Sequence, residues 1–299
     1  MSYLAQTFLF VFGLAVGSFL NVLAMRYGLR ERLLTASVVS GRSCCRSCGK
    51  TLRWYELVPL LSFLVQGGKC RTCGARLSLQ YPVIELLSGF IFLGIPGRIR
   101  DVFQIWPLGE TGALPSWYYP FVAFWMVALA TLILVALIDL RLFIIPDQLN
   151  LLILIAGLLT LGGQFLYQKF GFITGSFLKH NALLFGFRDN IWFNHALAAF
   201  IGVFLFSLIV VLSRGRAMGM GDVKLIGALG ILFGWPDVLL IIFFSFVLGS
   251  IVGLYLMAKK KKTLKDVVPF GPFIVLGALV VFFLGSEILE GYFNLFGIL

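Results

Sequence analysis

The chain reads as an all-α polytopic membrane protein of about eight transmembrane helices, carrying one small soluble loop domain. Three observations predict this class. Of its 299 residues, 60% are hydrophobic and only 12% charged, and the mean hydropathy is +0.99, outside the range of a soluble domain. Apolar runs recur at about the 20-residue length that crosses a bilayer. Basic residues gather between alternate runs, as cytoplasmic loops require.

Taken in order, spans are expected near 5–25, 80–96, 118–138, 149–167, 193–213, 223–235, 237–257 and 270–288. The first run is too long for a signal-peptide core, lacks a basic start and has no small-residue cleavage site, so it reads as a retained span. The sixth lies between Asp222 and the Gly234-Trp235-Pro236 turn and is too short to cross upright. The organisation expected is a first transmembrane helix over 1–26, a cytoplasmic loop over 27–79, and a transmembrane core over 80–299. Gly13 and Gly17, four apart, suit close packing of the first helix on a neighbour.

Charge supplies the orientation. Of the 24 Lys and Arg, ten lie between Arg26 and Arg76, against only Glu31 and Glu56. Arg141, Arg214, Arg216, Lys224 and the lysines at 259–262 and 265 extend the same side. Only Arg98, Arg100, Lys169, Lys179 and Arg188 fall on the other. Both termini are therefore expected outside and the 27–79 loop inside. The net charge of +11 then reflects topology and attraction to anionic lipid headgroups. Nothing else in the chain points to nucleic acid.

The 27–79 loop contains Cys45-x-x-Cys48-Gly49 and Cys70-x-x-Cys73-Gly74. Two Cys-x-x-Cys knuckles, each followed by glycine, suit a tetrahedral metal, because the short spacing turns both thiolates inward and glycine lets the backbone curl around the ion. The 21 residues between Cys48 and Cys70 slightly exceed the usual zinc-ribbon interval. A reducing cytoplasmic side disfavours disulfides, and no strand-helix context supports redox chemistry. The reading is a zinc-knuckle loop with a closed, structural Zn2+ site on Cys45, Cys48, Cys70 and Cys73, and Cys44 as a bystander.

Carboxylates at membrane depth are costly and mark function. Asp139 ends the third apolar run, eight residues before Asp147, and Asp222 lies in the stretch Gly219-Met220-Gly221-Asp222-Val223-Lys224. Both Asp139 and Asp222 fall at cytoplasmic ends, and two carboxylates at one depth can share a proton, one as base on water and the other as acid. That is aspartic-protease chemistry. Gly219 and Gly221 would admit a substrate backbone and permit a sharp turn. The plain alternative is that these aspartates cap helices or pair with Arg141 and Lys224, with Asp147 suited to cap the fourth span. Among other acids, Glu85 sits within the apolar second span and needs a reason, either chemistry or a hydrogen bond to a neighbouring helix.

Taken together, "GLAVGSFLNVLAMR" (13–26), the double knuckle with "WYELVPLLSFL" (54–64) inside it, "YPVIELLSG" (81–89), "LIDLRLFIIPDQLN" (137–150) and "GMGDVKLIGALG" (219–230) resemble the prepilin peptidases. These are membrane aspartic proteases with a Gly-x-Gly-Asp signature, and the motifs stand in the family's order. The resemblance implies that Asp139 and Asp222 are the catalytic pair, with Gly219, Gly221, Asp147 and Lys224 auxiliary. It implies prepilin or pseudopilin substrates of type IV pili or type II secretion, cut at the cytoplasmic face of the inner membrane after a glycine that follows a short basic leader. Because many members with the cysteine loop are bifunctional, it also implies S-adenosylmethionine as donor for N-methylation of the new N-terminus, with Glu85 a candidate for that site. The runners-up are a peptidase that has lost methylation, a zinc-stabilised membrane scaffold, and a proton-coupled transporter.

The chain departs from the family's pattern in places. The first knuckle reads Cys-Arg-Ser-Cys without the usual proline, and Gln148-Leu149-Asn150-Leu151 follows Asp147 where the family tends to have Leu-Thr and a proline. The stretches 97–117 and 167–193 are expected to be variable external loops. His180 and His195 are expected at the surface, and the lysine run 259–262 as a topology anchor. Phe270-Gly271-Pro272 should break the backbone just before the last span, and by the family resemblance would help shape the active-site cavity.

Overall fold

Apolar runs punctuated by Gly and Pro give helices throughout. The computed structural model describes residues 3–28, 35–105, 114–167, 175–179, 181–182, 190–259 and 268–297. Among them the order is α1 (Tyr3–Arg26), α2 (Ala36–Val39), a 3-10 turn (Trp54–Glu56), α3 (Leu61–Val65), α4 (Gln80–Val102), α5 (Tyr118–Leu142), α6 (Asp147–Tyr167), α7 (Ile191–Leu212), α8 (Met220–Phe233), α9 (Asp237–Ala258) and α10 (Gly271–Leu295). Seven of these are long and apolar enough to cross a membrane: α1, α4, α5, α6, α7, α9 and α10. The sixth expected span is α8, a helix of 14 residues, which at the helical rise is about 21 Å long, against a hydrocarbon core of about 30 Å.

The chain divides into two compact units, Met1–Pro96 and Gly97–Leu299, with the boundary inside α4. In the first unit, α1 packs on the first part of α4. A Cβ on Gly13 would lie 2.6 Å from Ser88 O and one on Gly17 2.7 Å from Ser88 Oγ, so only glycine allows this approach. The rings of Phe10 and Phe90 meet edge to face at 5.3 Å on the same seam. Gln80 Nε2 donates to Asn21 Oδ1 at 3.2 Å, and Arg26 Nη1 and Nη2 donate to Ser40 O and Gly41 O at 2.7 and 3.0 Å, holding the loop to the end of α1.

In the second unit, α8 is covered by α6, α7, α9 and α10. Val223, Leu225, Ile226, Ala228, Leu229, Leu232 and Phe233 are all buried. Its apolarity thus reflects contact with other helices, and it does not need to span lipid. Trp125 of α5 is fully buried and meets Phe177 and Phe233 edge to face and Phe282 at a tilt, at ring separations of 4.9, 5.3 and 5.2 Å.

Three expectations about the far end of this unit need correction. Residues 97–102 continue α4 instead of opening a loop. Arg98 is buried, donating to Phe282 O (2.8 Å), Phe177 O (3.3 Å), Ser286 Oγ (3.0 Å) and both Glu287 carboxylate oxygens (2.7 and 3.2 Å). From the stretch 167–193, Phe177 and Leu178 are fully buried, and Asp237 accepts from Ser176 Oγ at 2.8 Å and Phe177 N at 3.0 Å. His195 is likewise interior, with Nδ1 2.8 Å from Ile231 O, while its neighbour Asn194 clamps Trp235 through both amide atoms. Each polar group has gone inside because remote segments supply its partners. His180, the lysines at 260–262 and 265, and the remainder of 106–113 and 168–189 lie outside the described residues.

Replacing Arg98 by Leu removes a donor from two buried carbonyls and from Glu287. Glu287 is half exposed, so water takes over part of its share, and the expected loss is about 2–4 kcal/mol. For a chain of this size that is a fall of roughly 3–6 °C in Tm, read by thermal unfolding in detergent. An unchanged Tm would mean that the network holds nothing together.

Candidate active site

Asp139 lies one turn before the C-terminus of α5. The helix closes at Phe143, whose left-handed backbone (φ 56°) aims its N–H at Asp139 O. Pro146 then forces the turn into α6, and Ile145 in this turn packs on Gly221, where a Cβ would sit 3.1 Å from Ile145 Cβ. That contact seats the N-terminus of α8 beside the end of α5. It brings Asp222 close enough to Asp139 for their charges to interact.

Both carboxylates are buried, at 5% and 8% exposure. Each accepts one backbone N–H at a helix N-terminus: Asp222 Oδ2 takes Gly219 N at 3.1 Å at the start of α8, and Asp139 Oδ2 takes Gly271 N at 2.9 Å at the start of α10. These donors and the helix ends behind them fix the two groups and help carry negative charge. One oxygen of each carboxylate is held in this way.

The other auxiliary residues stand apart from the buried pair. Asp147 is the first residue of α6, and its Oδ1 meets Lys224 Nζ at 2.7 Å with side chains 72% and 51% exposed. The pairing raised as the plain alternative is therefore realised here, as a surface ion pair worth little. One turn on, Asn150 is buried, and neither amide atom has a partner among the described residues.

In the first unit the two knuckles fold alike. Cys45 N donates to Lys50 O and Gly49 N to Cys45 O; Cys70 N donates to Ala75 O and Gly74 N to Cys70 O. Gly49 and Gly74 turn with φ of 71° and 69°, the left-handed backbone that glycine accepts freely. The Sγ atoms of Cys45, Cys48, Cys70 and Cys73 lie within 4.8 Å of one another. Cys45 Sγ and Cys73 Sγ are 3.8 Å apart, matching the edge of a tetrahedron with metal–sulfur bonds of about 2.3 Å. Backbone N–H groups of Cys48 and Ser47 lower the Cys45 thiol, and those of Cys73 and Thr72 bring Cys70 down to about 6. At Cys73 the Ala75 amide favours thiolate, yet burial and the three neighbouring sulfurs push it up to about 11. A cation relieves that crowding, so the four residues fit a thiolate metal site with no open position. Cys44 is exposed and contributes only its backbone bridge to Thr51.

Glu85 is buried on α4. Its Oε2 accepts Leu60 N at 2.8 Å, and the Ser18 hydroxyl of α1 also bonds the carboxylate, so Glu85 is held both by the loop domain and by a neighbouring helix of the same unit.

Residues 11–98 match the Bacterial Peptidase A24 N-terminal domain and residues 126–254 the Type IV leader peptidase family. The chain belongs to the type IV leader peptidase family. It is similar to the Prepilin leader peptidase/N-methyltransferase of Bacillus subtilis, 28% identical over 96% of this chain and 97% of that protein. Proteins of the same name from Aeromonas hydrophila (28% identical, covering 99% and 96%) and Myxococcus xanthus (30% identical, covering 85% and 64%) are also similar. No solved structure matches it.

The first family match contains the knuckles and Glu85, and the second contains Asp139, Asp147 and Asp222. Gly271 lies beyond both; the sequence reads it as a backbone break that, by the family resemblance, helps shape the active-site cavity, without showing its contact with Asp139. The available signal was a Gly-Pro pair opening a helix, which leaves a free backbone N–H at the position facing Asp139. A Cβ at Gly271 would lie 2.7 Å from Asp139 Oδ2. Gly271→Ala should therefore displace that carboxylate and cut leader-peptidase kcat/KM by about 10- to 100-fold. Wild-type kinetics in this variant would show that the Gly271–Asp139 contact does not set the position of the acid.

Proposed function

We propose that this protein cleaves the short basic leader from type IV prepilins or type II secretion pseudopilins and N-methylates the residue exposed. The Asp139–Asp222 pair, buried and held by two helix N-termini, is the observation that carries the peptidase reading. One carboxylate takes a proton from water as it attacks the scissile carbonyl, and the other, carrying the shared proton, donates to the leaving amine. Gly219 leaves room beside Asp222 for an extended substrate backbone, while the space at Gly221 is taken by Ile145. Asp147 and Lys224 form a charged rim at the ends of α6 and α8, able to meet polar parts of the leader.

The domain over 27–79 is assigned to methyl transfer, with Zn2+ held by Cys45, Cys48, Cys70 and Cys73 as its structural centre. S-adenosylmethionine, when bound, supplies an electrophilic methyl group. Positive charge on the 26–76 stretch and on Arg141, Arg214 and Arg216 supports a cytoplasmic position for the cysteine loop and for the aspartates in the inner membrane.

The test is reconstitution in liposomes with a prepilin-like substrate and S-adenosylmethionine, followed by mass spectrometry of the product. The expected product starts at the residue after the leader glycine and is one methyl heavier at its N-terminus. An intact substrate would overturn the peptidase reading; a cleaved, unmethylated one would overturn the methyltransferase reading alone.

A further inference from the structure

The loop domain and the α1 and α4 segments of the same unit enclose a cavity of about 380 Å3, within the range of small-molecule sites, roughly 300–1,000 Å3. Its wall combines aromatic rings (Phe63, Tyr81), guanidinium groups (Arg42, Arg76), hydroxyls (Ser18, Ser62) and the Glu85 carboxylate. Glu85 is buried, at 5% exposure, and an isolated carboxylate in such a place is costly unless a cation or donors meet it. One donor is the backbone of a strained turn. Leu60 has φ 59° and ψ −52°, and Leu61 N closes on Pro59 O at 2.6 Å, a γ-turn of the rare, strained hand. Its N–H is fixed to Glu85 Oε2. Strain of this kind persists where the surroundings enforce it and clusters at ligand sites.

We infer that this cavity is the methyl-donor site, that it takes a sulfonium-bearing nucleoside amino acid such as S-adenosylmethionine, and that Glu85 is the base toward the acceptor amine. The assignment rests on the methyltransferase reading above. The ligand's chemistry matches the wall: a flat purine for the rings and a carboxylate for the guanidinium groups, with the buried acid left to meet the incoming ammonium of the acceptor. The new N-terminus arrives as an ammonium. Glu85 takes one of its protons, which frees the nitrogen lone pair. The nitrogen bonds to the methyl carbon as the carbon–sulfur bond breaks, and that bond's electrons stay on sulfur. The products are a methylammonium, a neutral thioether and protonated Glu85.

The test uses the full-length protein in detergent, with S-adenosylmethionine binding read by calorimetry and leader cleavage as the folding control. Ser62→Phe, which fills the cavity, should weaken binding at least tenfold. Glu85→Gln should bind within a few-fold of wild type but methylate a pre-cleaved peptide at least about 100-fold more slowly at pH 7. Its deficit should shrink above about pH 8, where the α-amine deprotonates unaided. Wild-type binding by Ser62→Phe would overturn the cavity assignment while the methyltransferase reading stood. A pH-independent deficit in Glu85→Gln would overturn its role as base. Failure of the wild type to bind or methylate would remove both the reading and this inference.

Discussion

Asp139→Asn and Asp222→Asn should each reduce leader cleavage by at least about 10³-fold, with the double variant no worse than either alone. The reason is that the pair acts as a unit. Asparagine keeps the shape and can still accept Gly271 N or Gly219 N at one oxygen, so the helix ends stay seated and the protein folds. What it cannot do is exchange a proton with water and with the leaving amine. Methylation of a pre-cleaved substrate should persist in both variants, because the cysteine loop and Glu85 belong to the first unit and the aspartates to the second. Asp147→Asn serves as the contrast. Its partner Lys224 is half exposed and its own carboxylate mostly so, and such pairs are worth about 0–1 kcal/mol. Cleavage in that variant should stay within about fivefold of wild type. Cutting at the wild-type rate by either Asp139→Asn or Asp222→Asn would sink the aspartic mechanism.

The sequence made Asp139, Asp222 and the four thiols visible because each is chemically out of place: acids at the ends of apolar runs, thiols at metal-ligand spacing. The resemblance put Gly271 near the cavity, but its bond to Asp139 was not visible, since its contribution is a backbone N–H, and every residue except proline has one. Arg98, His195 and Asp237 were misplaced or passed over for a related reason. Hydropathy treats a polar side chain as a vote for water, and cannot see that Phe282, Ile231 or Ser176, remote in sequence, will satisfy it inside. The same blindness affected α8. An apolar run of this kind can face lipid or other helices, and only the packing of α6, α7, α9 and α10 around it decides for the second.

Replacing Cys45 and Cys70 together by Ser should empty the metal site and unfold the loop. Between α1 and α4 the described residues build only two one-turn helices, a 3-10 turn and two isolated bridges. Their buried hydrophobic residues are Tyr27, Val38, Cys45 and Cys70, too few to offset the chain entropy of ordering the loop. Two of those four belong to the thiolate cluster, so a bound ion would serve as the core. Structural zinc in such knuckles contributes on the order of 10–16 kcal/mol at neutral pH, more than the rest of the loop can replace. The expected results are zinc content falling from one per chain to none, rapid proteolysis within residues 35–79, and loss of methyl transfer. Leader cleavage should fall no more than a few-fold, since the aspartate pair is built from α5, α8 and α10. Cys44→Ser is the control: its exposed thiol should change neither metal content nor proteolysis. A double variant that kept its metal, or resisted protease like the wild type, would show that the loop stands without the thiolate cluster.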